Sequence, residues 1–209
     1  MNTNYEEQIK TWMADWRKRF EDMQVQFSLG KMDATDAFEK QKDLLRNAIV
    51  EWKSNLDKAG DKTDATVNEM KAKMEELLLQ LNLGKAEGKE LFEEQRKKIE
   101  AALHEIKTSG STMYHEKFND MMQVFDTSSK AFKAGLEILQ LQFSLAKMDA
   151  KVDVAEVQAQ VKAKMNEITQ SFTDMQKLGM QNLEAWNKQM QDGYEKLKTM
   201  TEDWMKKTK

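Results

Sequence analysis

Residues 24–34 read QVQFSLGKMDA, and the same phrase returns as LLQLNLGKAEG at 78–88 and as QLQFSLAKMDA at 140–150. An internal repeat of this kind indicates one supersecondary unit that is used several times along a chain. The apolar residues that flank each copy recur every three or four positions, as they do on one face of an amphipathic helix. The sequence therefore predicts a threefold repeat of long helical units.

The composition of the chain favours helix throughout. None of its 209 residues is proline and only 8 are glycine, so little in the sequence forces a helix to stop. Charged residues make up 33% of the chain, a composition that is typical of long helices and coiled coils. The predicted fold class is all-α, an elongated bundle or coiled coil of long antiparallel helices with a threefold internal repeat.

Polar segments that carry glycine or helix-capping residues mark the predicted breaks. The stronger ones lie at 59–63 and 108–111, and softer ones lie at 126–129 and 171–174. The predicted helices span 5–58, 64–107, 112–125, 128–170 and 174–207.

Two segments of the chain follow from these breaks. Residues 1–110 would form a long antiparallel helical hairpin of two repeat units, because short loops make neighbouring helices antiparallel. Residues 111–209 would add the third unit and a C-terminal amphipathic helix that packs on the same bundle.

The Leu-Gly-Lys part of the repeated phrase allows two interpretations. Gly30 could end one helix and Asp33 could begin the next, which would make a tight hairpin. We favour a continuous helix, because the third copy has Ala146 in place of glycine and alanine is unfavourable in the left-handed conformation of a tight cap. The hydrophobic periodicity also continues through the second and third copies.

Apolar residues around each copy cover most of the helix circumference, which indicates burial by more than one neighbour. Their alternation is also compatible with a strand, but the helical flanks favour a helix. Small residues follow at a spacing of four, which allows close approach of helix backbones. We predict that the phrases meet at the waist of the bundle, the alternative being independent burial. The predicted waist comprises Gly30, Ala34, Gly84, Gly88, Ala146, Ala150, Phe27, Leu81 and Phe143.

The C-terminal part carries an apolar face with a mixed polar face opposite. Such a helix either packs into a core or lies on a lipid, polymer or protein surface, and the sequence leaves both readings open. The candidate surface-binding face comprises Phe172, Met175, Leu183, Trp186, Met190, Tyr194, Leu197 and Trp204.

No motif for catalysis, cofactor binding or metal binding is visible. The chain has no cysteine, and its two histidines are His104 and His115. Glu100 and His104 share a helix face, but di-iron bundles need two Glu-x-x-His pairs, and neither the spacing nor a second copy is present. The charged segments 38–42 and 92–96 are interpreted as solvated helix faces. We therefore predict no catalytic, cofactor or metal residues, and no enzyme.

The net charge and the N-terminal residues indicate which classes of partner and which cellular compartment to expect. A formal net charge of −3 argues against binding to nucleic acid, which needs an excess of basic side chains. No signal-peptide pattern is visible, and no apolar run approaches the roughly 18 residues that span a bilayer. With no cysteine to pair, we predict a cytoplasmic protein.

Residues 5–61 contain YEEQIKTW at 5–12, KMDA at 31–34, FEKQK at 38–42 and LDKAGD at 56–61. This segment resembles the small bacterial coiled-coil proteins that are described as stress-induced. The resemblance covers about a quarter of the chain and implies long helical hairpins without a settled biochemical activity. The Met- and Gln-rich C-terminal part is similar in composition to phasins, the helical proteins that coat polyester granules.

The expected function is that of a non-enzymatic helical-bundle interaction or assembly protein. Its expected partner is a second copy of the chain or another helical protein, because amphipathic faces of this kind associate. The alternative is an amphipathic protein, similar to phasins or apolipoproteins, that coats lipid, polyester granules or exposed hydrophobic protein.

Overall fold

The computed structural model describes residues 3–30, 32–59, 65–110, 116–145, 154–178 and 183–207. Within these ranges the protein is all-helical and contains no strand. The helices are α1 (Thr3–Ser28), α2 (Ala34–Ala59), α3 (Ala65–Leu81), α4 (Lys89–Gly110), α5 (Glu116–Leu145), α6 (Val154–Leu178) and α7 (Leu183–Lys207).

The continuous helix predicted through the first copy of the phrase is wrong. α1 ends at Ser28, and Gly30 adopts a φ of 63°, the left-handed conformation that closes many helices. Asp33 then caps α2, because its carboxylate accepts a hydrogen bond from the backbone N–H of Asp36 at 3.1 Å. The hairpin that the sequence also allowed is the observed structure.

The second copy also contains a turn where a continuous helix was predicted. α3 ends at Leu81 and α4 begins at Lys89, with Gly88 at a φ of 94°. The hydrophobic periodicity crosses the turn because both helices bury one face, as Leu81 and Phe92 show. In the third copy α5 ends at Leu145, and residues 146–153 lie outside the described residues. The threefold structural repeat and the coiled coil therefore stay predictions.

The softer breaks predicted in the C-terminal half are wrong as well. α5 runs without interruption through 126–129, and α6 runs through 171–174 to Leu178. The hydroxyl groups that suggested loops donate to carbonyls one turn earlier, as Ser128 does to Val124 at 2.7 Å and Ser171 does to Glu167 at 2.9 Å. Such back-bonding satisfies a hydroxyl inside a helix without a break.

The helices form a bundle in which α5 contacts α1, α2, α4 and α7. Neighbours along the chain are antiparallel: Trp12 of α1 faces Trp52 of α2, and Ser109 of α4 reaches Glu69 of α3. α7 runs parallel to α5, since Lys130 bonds Asn187 and Gln140 lies beside Met205. The C-termini of four helices therefore lie together at the same end of the bundle, which we call the turn end. These helices are α1, α3, α5 and α7.

Residues far apart in sequence build the core. Trp16 of α1 stacks edge-on against Phe132 of α5 at 6.5 Å, and Phe20 lies 5.8 Å from Phe172 of α6. The segments predicted at 1–110 and 111–209 thus share one core. The accessible surface is 11150 Å², close to the roughly 10,000 Å² expected for a folded monomer of this mass.

Candidate interaction surface at the turn end

The described parts of the three phrases come together at the turn end, not at a waist. Phe92 lies 5.0 Å from Phe38 and 4.9 Å from Phe143, which joins the start of α4 to α2 and to the third copy. The side-chain amide of Gln142 donates to the carbonyl of Met32 at 3.2 Å. The first and third copies therefore contact each other directly, and Phe92, which follows the second copy, joins α4 to the third.

Side chains from α2 and α4 hold the turn that follows α3. The ammonium group of Lys42 donates to the carbonyl of Leu83 at 2.8 Å and to the Gln95 side chain at 3.1 Å. Arg46 donates to the carbonyl of Leu81 at 2.8 Å. Helix C-termini leave carbonyls without intrahelical partners, so these contacts fix the turn end of α3.

The interpretation of 38–42 and 92–96 as solvated faces is wrong for three of their residues, Lys42, Gln95 and Arg96. Lys42 is fully buried and Gln95 is 8% exposed. Arg96 donates to the carboxylate of Glu137 at 2.5 Å, and Glu137 is buried in α5. Charge alone suggests a solvated face, whereas the recurrence of Gln followed by a basic residue at 41–42 and 95–96 was a signal of a shared internal role.

Burial and mutual attraction both shift the pKa values of Arg96 and Glu137. Desolvation raises the pKa of Glu137 above its ordinary value, although the neighbouring Arg96 opposes that change. Burial alone would lower the pKa of Arg96, but attraction to Glu137 and Glu100 outweighs it and raises the value. Both groups are therefore held by each other inside the bundle, where an unpaired charge is costly.

Five large apolar side chains remain exposed near the turn end, and we call them the exposed apolar set. Val25 is 58% exposed and Leu79, at the equivalent position of the second copy, is 68% exposed. Leu141, the same position of the third copy, is fully buried. The exposed apolar set comprises Val25, Leu29, Leu79, Leu83 and Leu91.

The predicted waist residues separate into two groups. Phe27 and Leu81 are buried, Ala34 is buried at the start of α2, and Phe143 packs partly buried against the core. Gly30, Gly84 and Gly88 are exposed, and a Cβ on any of them would meet nothing within 4 Å. The predicted close helix packing at these glycines is therefore wrong, since their positions belong to turns. Ala146 and Ala150 lie outside the described residues.

The candidate surface-binding face is turned toward the core in the described part of α6 and α7. Tyr194 is partly buried and packs against this core. The side chains of Met175 and Leu183 lie outside the described residues. The buried members are Phe172, Trp186, Met190, Leu197 and Trp204.

His104 does not join a metal site. Its side chain is exposed, and its predicted neighbour Glu100 accepts a hydrogen bond from Arg96 at 3.0 Å. The described residues contain no group of three His, Asp or Glu side chains that could hold a metal ion. His115 lies outside the described residues. Among the described helices, none combines the length and hydropathy needed to cross a bilayer.

Comparisons with known proteins add no relative. No protein-family model matches the chain, and no curated protein and no solved structure is significantly similar to it.

Proposed function

We propose that the protein is a non-enzymatic interaction protein that associates with a second copy of itself through the turn end. The observation that carries this proposal is the exposed apolar set, in which two copies of one phrase present to solvent the position that the third copy buries as Leu141. Exposed apolar patches are a common mark of interaction sites, and the members of this set lie near the same end of the bundle.

The third copy supplies the argument for the occupant. α5 buries Leu141 among helices of this same chain, so helices of this composition provide a surface that accepts the phrase. A second copy of the chain brings such helices to the turn end. The surrounding charge pairs suit a polar rim, because Lys85 and Asp36 are exposed and lie 3.1 Å apart.

The association is tested by light scattering and sedimentation over a range of protein concentrations. A double variant, Leu79→Ser with Leu83→Ser, is expected to weaken self-association at least tenfold. Reburial of a leucine contributes about 1–2 kcal/mol when roughly half of it is exposed, and 1.4 kcal/mol corresponds to a factor of ten. Val50→Ser is the matched control, since Val50 is 53% exposed but belongs to the middle of α2.

The outcomes separate this proposal from the lipid alternative. A wild-type chain that stays monomeric at all concentrations contradicts self-association. If that monomer also sediments with phosphatidylcholine liposomes, and the double variant does not, the turn end is a lipid-binding surface. The amphipathic-coat alternative predicts a different result, because binding by the α6–α7 face requires the bundle to open and is insensitive to Leu79 and Leu83.

A further inference from the structure

A polar groove lies on the opposite half of the bundle from the turn-end phrases, along α5 between α4 and α7. Its volume is about 450 Å³, within the range of small-molecule sites. Each of the three helices contributes four lining residues at helical spacing. The charged residues among them are Lys107, Asp126, Lys130, Lys133, Glu195 and Lys198.

The groove carries more positive than negative charge. Lys107 and Lys130 share one carboxylate, that of Asp126, at 2.5 Å and 2.8 Å. Burial alone would raise the pKa of Asp126, but its hydrogen bonds with the two lysines outweigh burial and hold the pKa below its ordinary value. One carboxylate thus serves two ammonium groups, which leaves a net positive charge on this wall.

Two further lysines line the groove without an ion-pair partner among the described residues, Lys133 of α5 and Lys198 of α7. Lys133 is partly buried, and this desolvation lowers its pKa despite attraction to Glu100. The carboxylates that attract Lys133, Glu100 and Asp126, form no ion pair with it, and a desolvated ammonium group without a direct partner is unfavourable. A bound anion between these helices would supply the direct ion pair that the described protein groups do not.

Tyr194 adds a neutral hydrogen-bond donor to the same wall. Burial, with repulsion from Glu100 and Glu137, raises the pKa of its phenol to about 12. The hydroxyl therefore keeps its proton at neutral pH, and it has no hydrogen-bond partner among the described residues. An O–H group that lines the same groove as Lys133 and Lys198 suits the oxygen atoms of an anion.

From this arrangement we propose that the groove binds a small, multiply charged, phosphate-bearing anion. Lys133 and Lys198 contact its oxygens from two sides, and Tyr194 donates a hydrogen bond. The site is independent of the exposed apolar set and of self-association at the turn end.

The test uses inorganic pyrophosphate as the probe and isothermal titration calorimetry at low ionic strength. Wild-type protein is expected to bind pyrophosphate, with affinity that falls as salt is raised, because exposed charge interactions are screened. Lys133→Gln with Lys198→Gln is expected to weaken binding at least tenfold. Lys188→Gln is the matched control, since Lys188 is exposed on α7 and does not line the groove.

A second measurement does not depend on any variant. Amine-reactive labelling of wild-type protein, read by mass spectrometry, is expected to show Lys133 and Lys198 protected by pyrophosphate while Lys188 is not. Absence of pyrophosphate binding at millimolar concentration overturns the proposal, and so does equal protection of all three lysines. Vesicles of phosphatidic acid identify the source, because a lipid headgroup site would capture the protein on vesicles and release it to pyrophosphate.

Discussion

At the scale of single residues, the most informative contact is the ion pair between Arg96 of α4 and Glu137 of α5. Glu137 is 1% exposed, and Arg96 also donates to Glu100 at 3.0 Å. Sequence alone placed Arg96 on a solvated face, because a charged residue gives no local sign of which partner it meets across the bundle. The partner lies 41 positions away, and only the tertiary arrangement brings the two together.

Arg96→Met is expected to lower the free energy of unfolding by about 3–5 kcal/mol, because it leaves the Glu137 carboxylate buried without a counterion. Adding Glu137→Leu should restore most of the loss. Denaturant unfolding followed by circular dichroism measures both. Lys98→Met on the same helix is the control, since its pair with Glu94 is exposed and weakened by solvent screening. Equal losses for Arg96→Met and Lys98→Met would contradict the prediction.

At the scale of helices, the sequence predicted the helical class, the faces that are buried, and the ends of α2 near residue 59 and of α4 near residue 110, but not the helix ends inside the repeated phrase. The periodicity of Phe27, Phe38, Leu81 and Phe92 is the same whether a helix continues or folds back, since both arrangements bury these residues. The deciding feature is the backbone conformation of Gly30 and Gly88. The alanine in the third copy favoured a continuous helix instead, and that segment lies outside the described residues.

Gly30→Ala tests the turn directly. At a φ of 63° a Cβ is strained, so the substitution is expected to destabilise the protein by about 1–2 kcal/mol. A continuous helix would instead gain about 1 kcal/mol from the same change. Gly84→Ala is the matched control: Gly84 has no positive φ and open space around its Cα, so its effect should stay within about 0.5 kcal/mol. Thermal and denaturant unfolding measure whether each substitution raises or lowers the free energy of unfolding.

At the scale of the whole molecule, the turns shorten the particle. α1 has 26 residues and α5 has 30, which gives helices of about 40–45 Å, whereas uninterrupted helices through the phrases would reach about 80 Å. The predicted elongated shape followed from the assumption of continuous helices. Hydrophobic periodicity is the same whether a helix continues or folds back, so it did not reveal the additional turns inside the first two copies of the phrase.

Small-angle X-ray scattering of dilute protein measures this difference. A compact chain of 209 residues is expected to have a radius of gyration of about 17 Å, slightly more for a bundle of this length. Helices of about 80 Å would give about 23 Å, because the radius of gyration of a rod is its length divided by the square root of twelve. A value near the larger figure at the lowest concentration would contradict the bundle described above.

The packing of α1 on α6 has a consequence for biosynthesis. A ribosome releases α3 and α4 as a local hairpin that can close at once, whereas Phe20 meets Phe172 only after more than four fifths of the 209 residues have emerged. Until then Trp16 and Phe20 of α1 have no complete partner surface. Nascent chains with such exposed aromatic groups are bound by chaperones or associate wrongly. α1 is thus made before α6 but completes its packing only when α6 is available.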